Sequence, residues 1–405
     1  MRFSPSIRLT DEEVWVADGK ISYVGPHKDG SFDREVNLGG NILMPGFKNM
    51  HTHTAMVFLR SLADRKPLQQ WLFEDVYPNE AKLTPDALYY MTKLGIMEYL
   101  SSGITSIFDM YFFNDAFFAA LDDTGYTRSA VCSALNNFDK DITNIEREYC
   151  RFQGRYKLGI HAEYTTCMER MEYMVSLAEK YKAPCFTHLS ETKAEVDGCI
   201  ERYGKTPPQL LYDLGFFRYG GGGFHCCHMS EDDIRLFADN GLYAVTCPAS
   251  NLKLSSGIAP VEKMSSAGVR VAIGTDGAAS NNALDMFREM YLVSALQKYL
   301  TGEASACPAE DVLKMACVNG AEVIGLQDST DIAEGMSADL VVIDLSQPNM
   351  QPVNNAVSNI VYSGSKSNVK MTVVAGKILY EDGQYFIGED AETIYSKAQE
   401  FVDKL

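Results

Sequence analysis

The sequence predicts a (β/α)8, or TIM, barrel with a small β-sandwich domain assembled from both chain ends. Three observations predict it. Short apolar runs alternate with amphipathic stretches through the middle of the chain, as parallel strands and covering helices do. Most of the histidines fall where those runs end, and both termini read as short strands with glycine turns.

The runs are NILMPGFKNMHTH (41–53), GITSIFDMYF (103–112), RSAVCSALNN (128–137) and YKLGIHAEYT (156–165). They continue with APCFTHLSET (183–192), GGFHCCHMS (222–230), LYAVTCPAS (242–250) and VRVAIGTDG (269–277). Eight is the number of strands that closes a parallel barrel. Between them, DALYYMTKLGIMEYLSS (86–102) and MEYMVSLAEKY (171–181) carry apolar residues at three- and four-residue spacing, the mark of a helix with one buried face. The four glycines Gly220 to Gly223 read as a flexible lead-in to the sixth strand.

At the start, WVADGKISYVG (15–25) predicts a hairpin turning at Asp18-Gly19. At the end, ADLVVIDL and KMTVVAGKILYEDGQYF predict further short strands. The expected division is therefore a composite β-domain, 1–45 with 330–405, around a barrel domain, 46–329.

Composition narrows the partners. The chain has 405 residues, 46% hydrophobic and 22% charged, enough for a large buried core. Its formal charge of −18 repels phosphate backbones and anionic membranes, which disfavours nucleic acid and lipid partners. No apolar run reaches the length of a membrane span, about 18 residues. The opening MRFSPSIRLTDEE turns acidic before any apolar signal region. The ten cysteines show no CxxC pair and no regular spacing, so neither disulfides nor a cysteine zinc site is expected. A reducing cytoplasm is the expected location, and pairing into a homo-oligomer suits an acidic barrel of this size.

Five of the seven histidines sit at strand ends: His51, His53, His161, His188 and His225. In a barrel the strand ends converge on one rim, where sites are built. His51-Thr52-His53 puts two imidazoles on one side of a strand, because side chains alternate with period two. An HxH pair alone is more often a solvated strand face than a ligand pair. His188 alone could be a core histidine, and Asp276 alone a turn aspartate. Together, His51, His53, His188 and Asp276 form a three-nitrogen, one-oxygen set suited to one divalent metal ion, zinc first, with iron or manganese also tolerated. Such an ion acidifies a water to a pKa of roughly 7. Glu191 is then placed to protonate a ring nitrogen, and Asp276 and His225 to take the proton of that water. Other hydrolytic signatures are missing: there is no HExxH, no H-x-E with P-C-x-x-C and no GxSxG. Gly204-Lys205-Thr206 looks like the end of a phosphate loop, but Cys199 stands where its first glycine belongs.

MPGFKNMHTH, QWLFEDVYPNEAKLT, GIHAEYT, THLSET, FHCCHMS, CPASNLKLSSGIAPV, GTDGAASNN, ADLVVIDL and VVAGK together span almost the whole chain. With these strings the chain resembles the amidohydrolase superfamily, in the branch of 5′-methylthioadenosine/S-adenosylhomocysteine deaminases and their chlorohydrolase relatives. The resemblance implies one metal on His51, His53, His188 and Asp276, with Glu191, His225 and Asp276 catalytic. It implies a nucleoside pocket shaped by Trp71 and Glu80, Glu80 facing ribose hydroxyls, and His161 and Glu191 contacting substrate. GIHAEYT carries no lysine for a two-metal carbamate. The implied reaction is release of ammonia from an aminopurine, with 5′-methylthioadenosine, 5′-deoxyadenosine or adenosine as first expectation. A free purine, pyrimidine or triazine is the alternative, and a non-catalytic binding protein the third reading. Related deaminases can carry an arginine near the end of the third strand to meet an amino-acid tail. Here Ser133 stands in that place, which disfavours such a tail.

Overall fold

The computed structural model describes residues 1–405. Eight parallel strands follow one another around the barrel in chain order: Phe47–Thr52, Ile104–Met110, Ala130–Cys132, Tyr156–Ala162, Cys185–Leu189, Gly221–His225, Tyr243–Thr246 and Arg270–Ile273. Strict chain order is what right-handed crossovers through outer helices produce. Those helices start where the side chains permit: Thr84 caps Pro85–Ser101 by accepting the Ala87 N–H, and Ser230 caps Glu231–Asp239 through the Asp233 N–H. The strands are buried on both faces almost throughout, so most of them read as largely apolar runs, with Lys48, Asn49 and Asp109 among the buried polar exceptions.

The seam between the eighth and first strands is closed largely by side chains. Asn49 accepts the Thr275 N–H at 2.9 Å and donates to the Thr275 hydroxyl at 2.7 Å. The Asp276 N–H then donates to the His51 carbonyl at 2.9 Å. Closure of the barrel is thus the step that delivers Asp276 to the histidine pair.

Two expectations about the strands need correction. The run 41–53 is two strands in two sheets: Ile42–Pro45 pairs antiparallel with Leu340–Ile343, and only Phe47–Thr52 enters the barrel. The glycines before His225 are not a flexible lead-in, because Gly221–His225 is the sixth strand itself. A Cβ at Gly221 would lie 1.8 Å from the Cys185 carbonyl oxygen, and one at Gly222 would lie 2.1 Å from that of Tyr243. Only glycine lets the flanking strands approach this closely.

The second sheet has five antiparallel strands, in the order Gln384–Tyr385, Lys377–Glu381, Val369–Val374, Leu340–Ile343 and Ile42–Pro45. It therefore draws on both chain ends. The N-terminal hairpin, Glu13–Ala17 with Lys20–Gly25, turns through Asp18 and Gly19 at positive φ. Ile21 packs with Leu340, Val342, Met371 and Val373 in one small apolar cluster, so hairpin and sheet face each other. All ten cysteines are free, and Cys185, Cys226, Cys227 and Cys247 are buried. No helix is long and apolar enough to cross a membrane.

Candidate metal centre and active site

The C-terminal rim brings the strand-end histidines together. Potential ligand atoms of His51, His53 and His188 lie within 4.8 Å of one another, and so do those of His51, His225 and Asp276. The tautomers follow from the partners, since a carbonyl oxygen can only accept. His53 Nδ1 donates to the Met110 carbonyl at 2.7 Å and His188 Nδ1 to the His161 carbonyl at 2.6 Å. Each Nε2 therefore carries a lone pair aimed into the site, and the two nitrogens are only 3.3 Å apart. Asp276 Oδ1 adds a third lone-pair atom, 3.3 Å from His53 Nε2 and 3.7 Å from His51 Nε2.

Both ring nitrogens of His51 are buried without any hydrogen-bond partner. An orphaned buried polar group costs about 1–3 kcal/mol, and facing lone pairs repel. A divalent cation among these four donors would engage His51 Nε2, one of the two orphaned nitrogens, and relieve the repulsion, so the residues present fit the metal that the sequence implies. Burial first, then the neighbouring histidines, holds His51 and His188 well below the ordinary imidazole range, in the neutral form that ligates.

Around this cluster the backbone is strained. Asp276, His225 and Ser190 adopt φ of +60°, +71° and +49°, a left-handed conformation uncommon for residues other than glycine. Side chains the sequence reading did not single out pin it in place. Ser250 and Ser280 donate to Asp276 Oδ2 at 2.5 and 2.9 Å, which leaves Oδ1 facing the histidines. Glu195 accepts the backbone N–H groups of Ser190 and Glu191 at 2.7 and 2.8 Å. Asn251 meets His225 Nδ1 at 2.7 Å, so His225 Nε2 points at Glu191 Oε2, 3.8 Å away. Ser256 donates to Glu191 Oε1 at 3.1 Å.

Glu191 is buried, which lifts its carboxyl above the ordinary range, while His225 opposes the shift. For His225, burial favours the neutral ring, but Glu191, Asp276 and Asn251 outweigh it and the net direction is upward. An acid and a base thus lie side by side against the donor cluster.

The remaining expected residues surround this core. His161 is half-buried, its ring centroid is 4.6 Å from that of His188, and burial lowers its pKa to about 3. A helical segment after the first strand carries the others: Leu68–Trp71, a wide π-type turn over Leu72–Val76, then Tyr77–Glu80. Trp71 is buried among its apolar residues. Glu80 Oε1 is buried and unpartnered, and burial raises its carboxyl to about 7, with Tyr111 and His53 opposing. Tyr111, which the sequence reading missed, follows the second strand, and its hydroxyl is also buried and unpartnered. Ser133 does not line the mouth: its hydroxyl donates to the Gly159 carbonyl at 2.6 Å and accepts the Gly159 N–H at 2.8 Å. His228 holds the Ser256 carbonyl at 2.6 Å, and His27 is exposed beside Glu13.

Comparison with known proteins agrees with this geometry. The family model described as the amidohydrolase family matches residues 42–379. A 5-methylthioadenosine/S-adenosylhomocysteine deaminase of Caldicellulosiruptor saccharolyticus is 38% identical over 391 residues, covering 94% of this chain and 91% of that protein. A 5′-deoxyadenosine deaminase of Methanosarcina mazei is 36% identical over 403 residues, covering 97% and 93%. Among solved structures, an adenosine deaminase from Xanthomonas campestris with bound zinc superposes with a TM-score of 0.92 at 32% identity, covering 98% of this chain and 94% of that one. A barrel whose rim gathers these donors, matched over most of its length by that model and by these relatives, belongs to the amidohydrolase family.

Proposed function

We propose that the protein is a metal-dependent deaminase of adenine-type nucleosides, replacing the exocyclic amine by oxygen and releasing ammonia. One observation carries the reading: a buried acid and base, Glu191 and His225, stand 3.8 Å apart beside a three-histidine, one-aspartate donor set. The deaminase names of the relatives that share 36–38% of its residues support it.

His51, His53, His188 and Asp276 would hold one divalent ion, zinc in the first instance. Bound there, the ion supplies a water acidified to a pKa of about 7 and polarises the oxygen that forms. The chain's own groups do the rest. Asp276 and His225 accept the proton released by that water. Glu191, whose burial favours the protonated carboxyl, gives its proton to the ring nitrogen next to the carbon under attack, so the ring loses aromaticity without building anionic charge. Returned to the amine, a proton makes ammonia the leaving group. Glu80 accepts the ribose hydroxyls, Trp71 shapes the pocket wall and His161 contacts the substrate. Residues 46–329 serve as the catalytic barrel, with 1–45 and 330–405 as its composite β-domain.

The test is product stoichiometry. Zinc-loaded protein given 5′-methylthioadenosine, 5′-deoxyadenosine or adenosine is expected to yield the inosine-type nucleoside and ammonia one to one. Cleavage of the glycosidic bond, or no ammonia, would overturn the reading.

A further inference from the structure

Three aromatic rings from two separate segments meet at the mouth of the site. Phe73 and Tyr77, on the helical segment after the first strand, pack edge-on with centroids 5.5 Å apart. Phe138, from the loop after the third strand, lies 5.4 Å from Tyr77 and 6.5 Å from Phe73. Tyr77 reaches back to His161 at 6.4 Å, and His161 to His188 at 4.6 Å, so the cluster is continuous with the metal centre. The Tyr77 hydroxyl is buried and has no partner.

Phe138 is 63% exposed and Phe73 50%, which leaves apolar surface in water where folding alone does not require it. The loop nevertheless holds Phe138 firmly in that position. Asn136 Oδ1 accepts the Phe138 N–H at 2.8 Å, and Asp139 Oδ2 accepts the Asn136 N–H at 2.7 Å. Arg170 donates to the carbonyls of both Asn136 and Asp139. Its guanidinium is thereby engaged with backbone, and Ser133 is engaged with Gly159. A carboxylate-bearing tail is left with exposed Lys140 as the cation of this loop.

We infer that Phe73, Tyr77 and Phe138 form the seat for the 5′ substituent of the nucleoside, selecting a short, uncharged, apolar group such as an alkylthioether. This rests on the proposed nucleoside reading and deepens it. Glu80, the proposed acceptor of the ribose hydroxyls, stands one helical turn beyond Tyr77, which puts the ribose subsite next to the three rings.

The test compares zinc-loaded wild type with Phe138→Ala and Phe73→Ala on 5′-methylthioadenosine, adenosine and S-adenosylhomocysteine. In the wild type the methylthio compound is expected to have the highest kcat/KM and S-adenosylhomocysteine the lowest. Each truncation should raise KM for the methylthio compound about tenfold, with kcat little changed, because it removes contact with an apolar group rather than a catalytic one. The preference over adenosine should fall by the same factor. A preference for the methylthio group unmoved by both truncations, or equal kcat/KM for S-adenosylhomocysteine in the wild type, overturns the seat while leaving the deaminase reading intact. Loss of ammonia release from every nucleoside in the wild type overturns the reaction, and the seat with it.

Discussion

In the proposed reaction Glu191 and His225 divide the proton work, and their surroundings show how two neighbouring groups can hold opposite charge preferences. Burial raises the Glu191 carboxyl above the ordinary range and so favours its protonated form, while His225 opposes the shift. Glu191→Gln removes that acid but no metal donor. It should lower kcat by roughly 10²–10⁴, with metal content unchanged by elemental analysis; loss of metal together with activity would mean that Glu191 acts through the metal site instead. Glu80 gives a pH signature. Its pKa of about 7 means that it accepts hydroxyl hydrogen bonds well only when ionised, above that pH. KM for nucleosides should therefore fall as pH rises through 7, and Glu80→Gln should flatten the profile and weaken nucleosides more than free adenine. The native pKa lies above the unfolded value of 4.5, so the protonated form favours folding. That contribution is present below 4.5 and is lost as pH rises through 7. The metal donors were readable as residue types, because five histidines at strand ends are hard to explain as core. Tyr111 was not readable, because a tyrosine after an apolar strand carries no local mark of the carboxylate it will meet from the segment after the neighbouring strand.

At the scale of elements, one segment organises the acid, the base and the aspartate together. Ser250, Asn251 and Ser256 lie between Cys247 and Gly257 and hold Asp276, His225 and Glu191 respectively. Asn251→Ala leaves every metal donor in place but frees the His225 ring. Loss of such an orienting hydrogen bond typically costs about 10–100-fold, and it should appear in kcat, with the pH profile of His225 displaced; an unchanged kcat would show that the ring is oriented by other contacts. The string CPASNLKLSSGIAPV was conspicuous in the sequence, yet its roles were not legible. Its partners lie 26 and 65 residues away, and only barrel closure brings them within reach. The same reason explains the run 41–53. Its apolar pattern is continuous across Pro45 and Gly46, and the pairing that sends Ile42–Pro45 into another sheet is made by Leu340–Ile343, nearly 300 residues on.

Over the whole molecule, the alternation of strands and helices was the strongest signal, because strands buried on both faces are mostly apolar. A metal held by His51, His53, His188 and Asp276 would tie the rim together in the same way that Asn49 ties the seam. Anything that binds only the folded state stabilises it by mass action, by about 4 kcal/mol at a thousandfold excess over Kd. Stripping the metal with a chelator should therefore lower Tm by several degrees and abolish turnover, and zinc should restore both. An unchanged Tm with full loss of metal would show that the donor cluster is relaxed without the ion, contrary to the orphaned nitrogens of His51.

The most direct measurement is ammonia release from adenine nucleosides by zinc-loaded protein, run beside chelated protein and Glu191→Gln. The expected result is turnover of 5′-methylthioadenosine, 5′-deoxyadenosine and adenosine that disappears in both controls. Full metal occupancy with no ammonia from any of them would contradict a deaminase centred on Glu191, His225 and Asp276, and so would equal turnover in the Glu191→Gln protein.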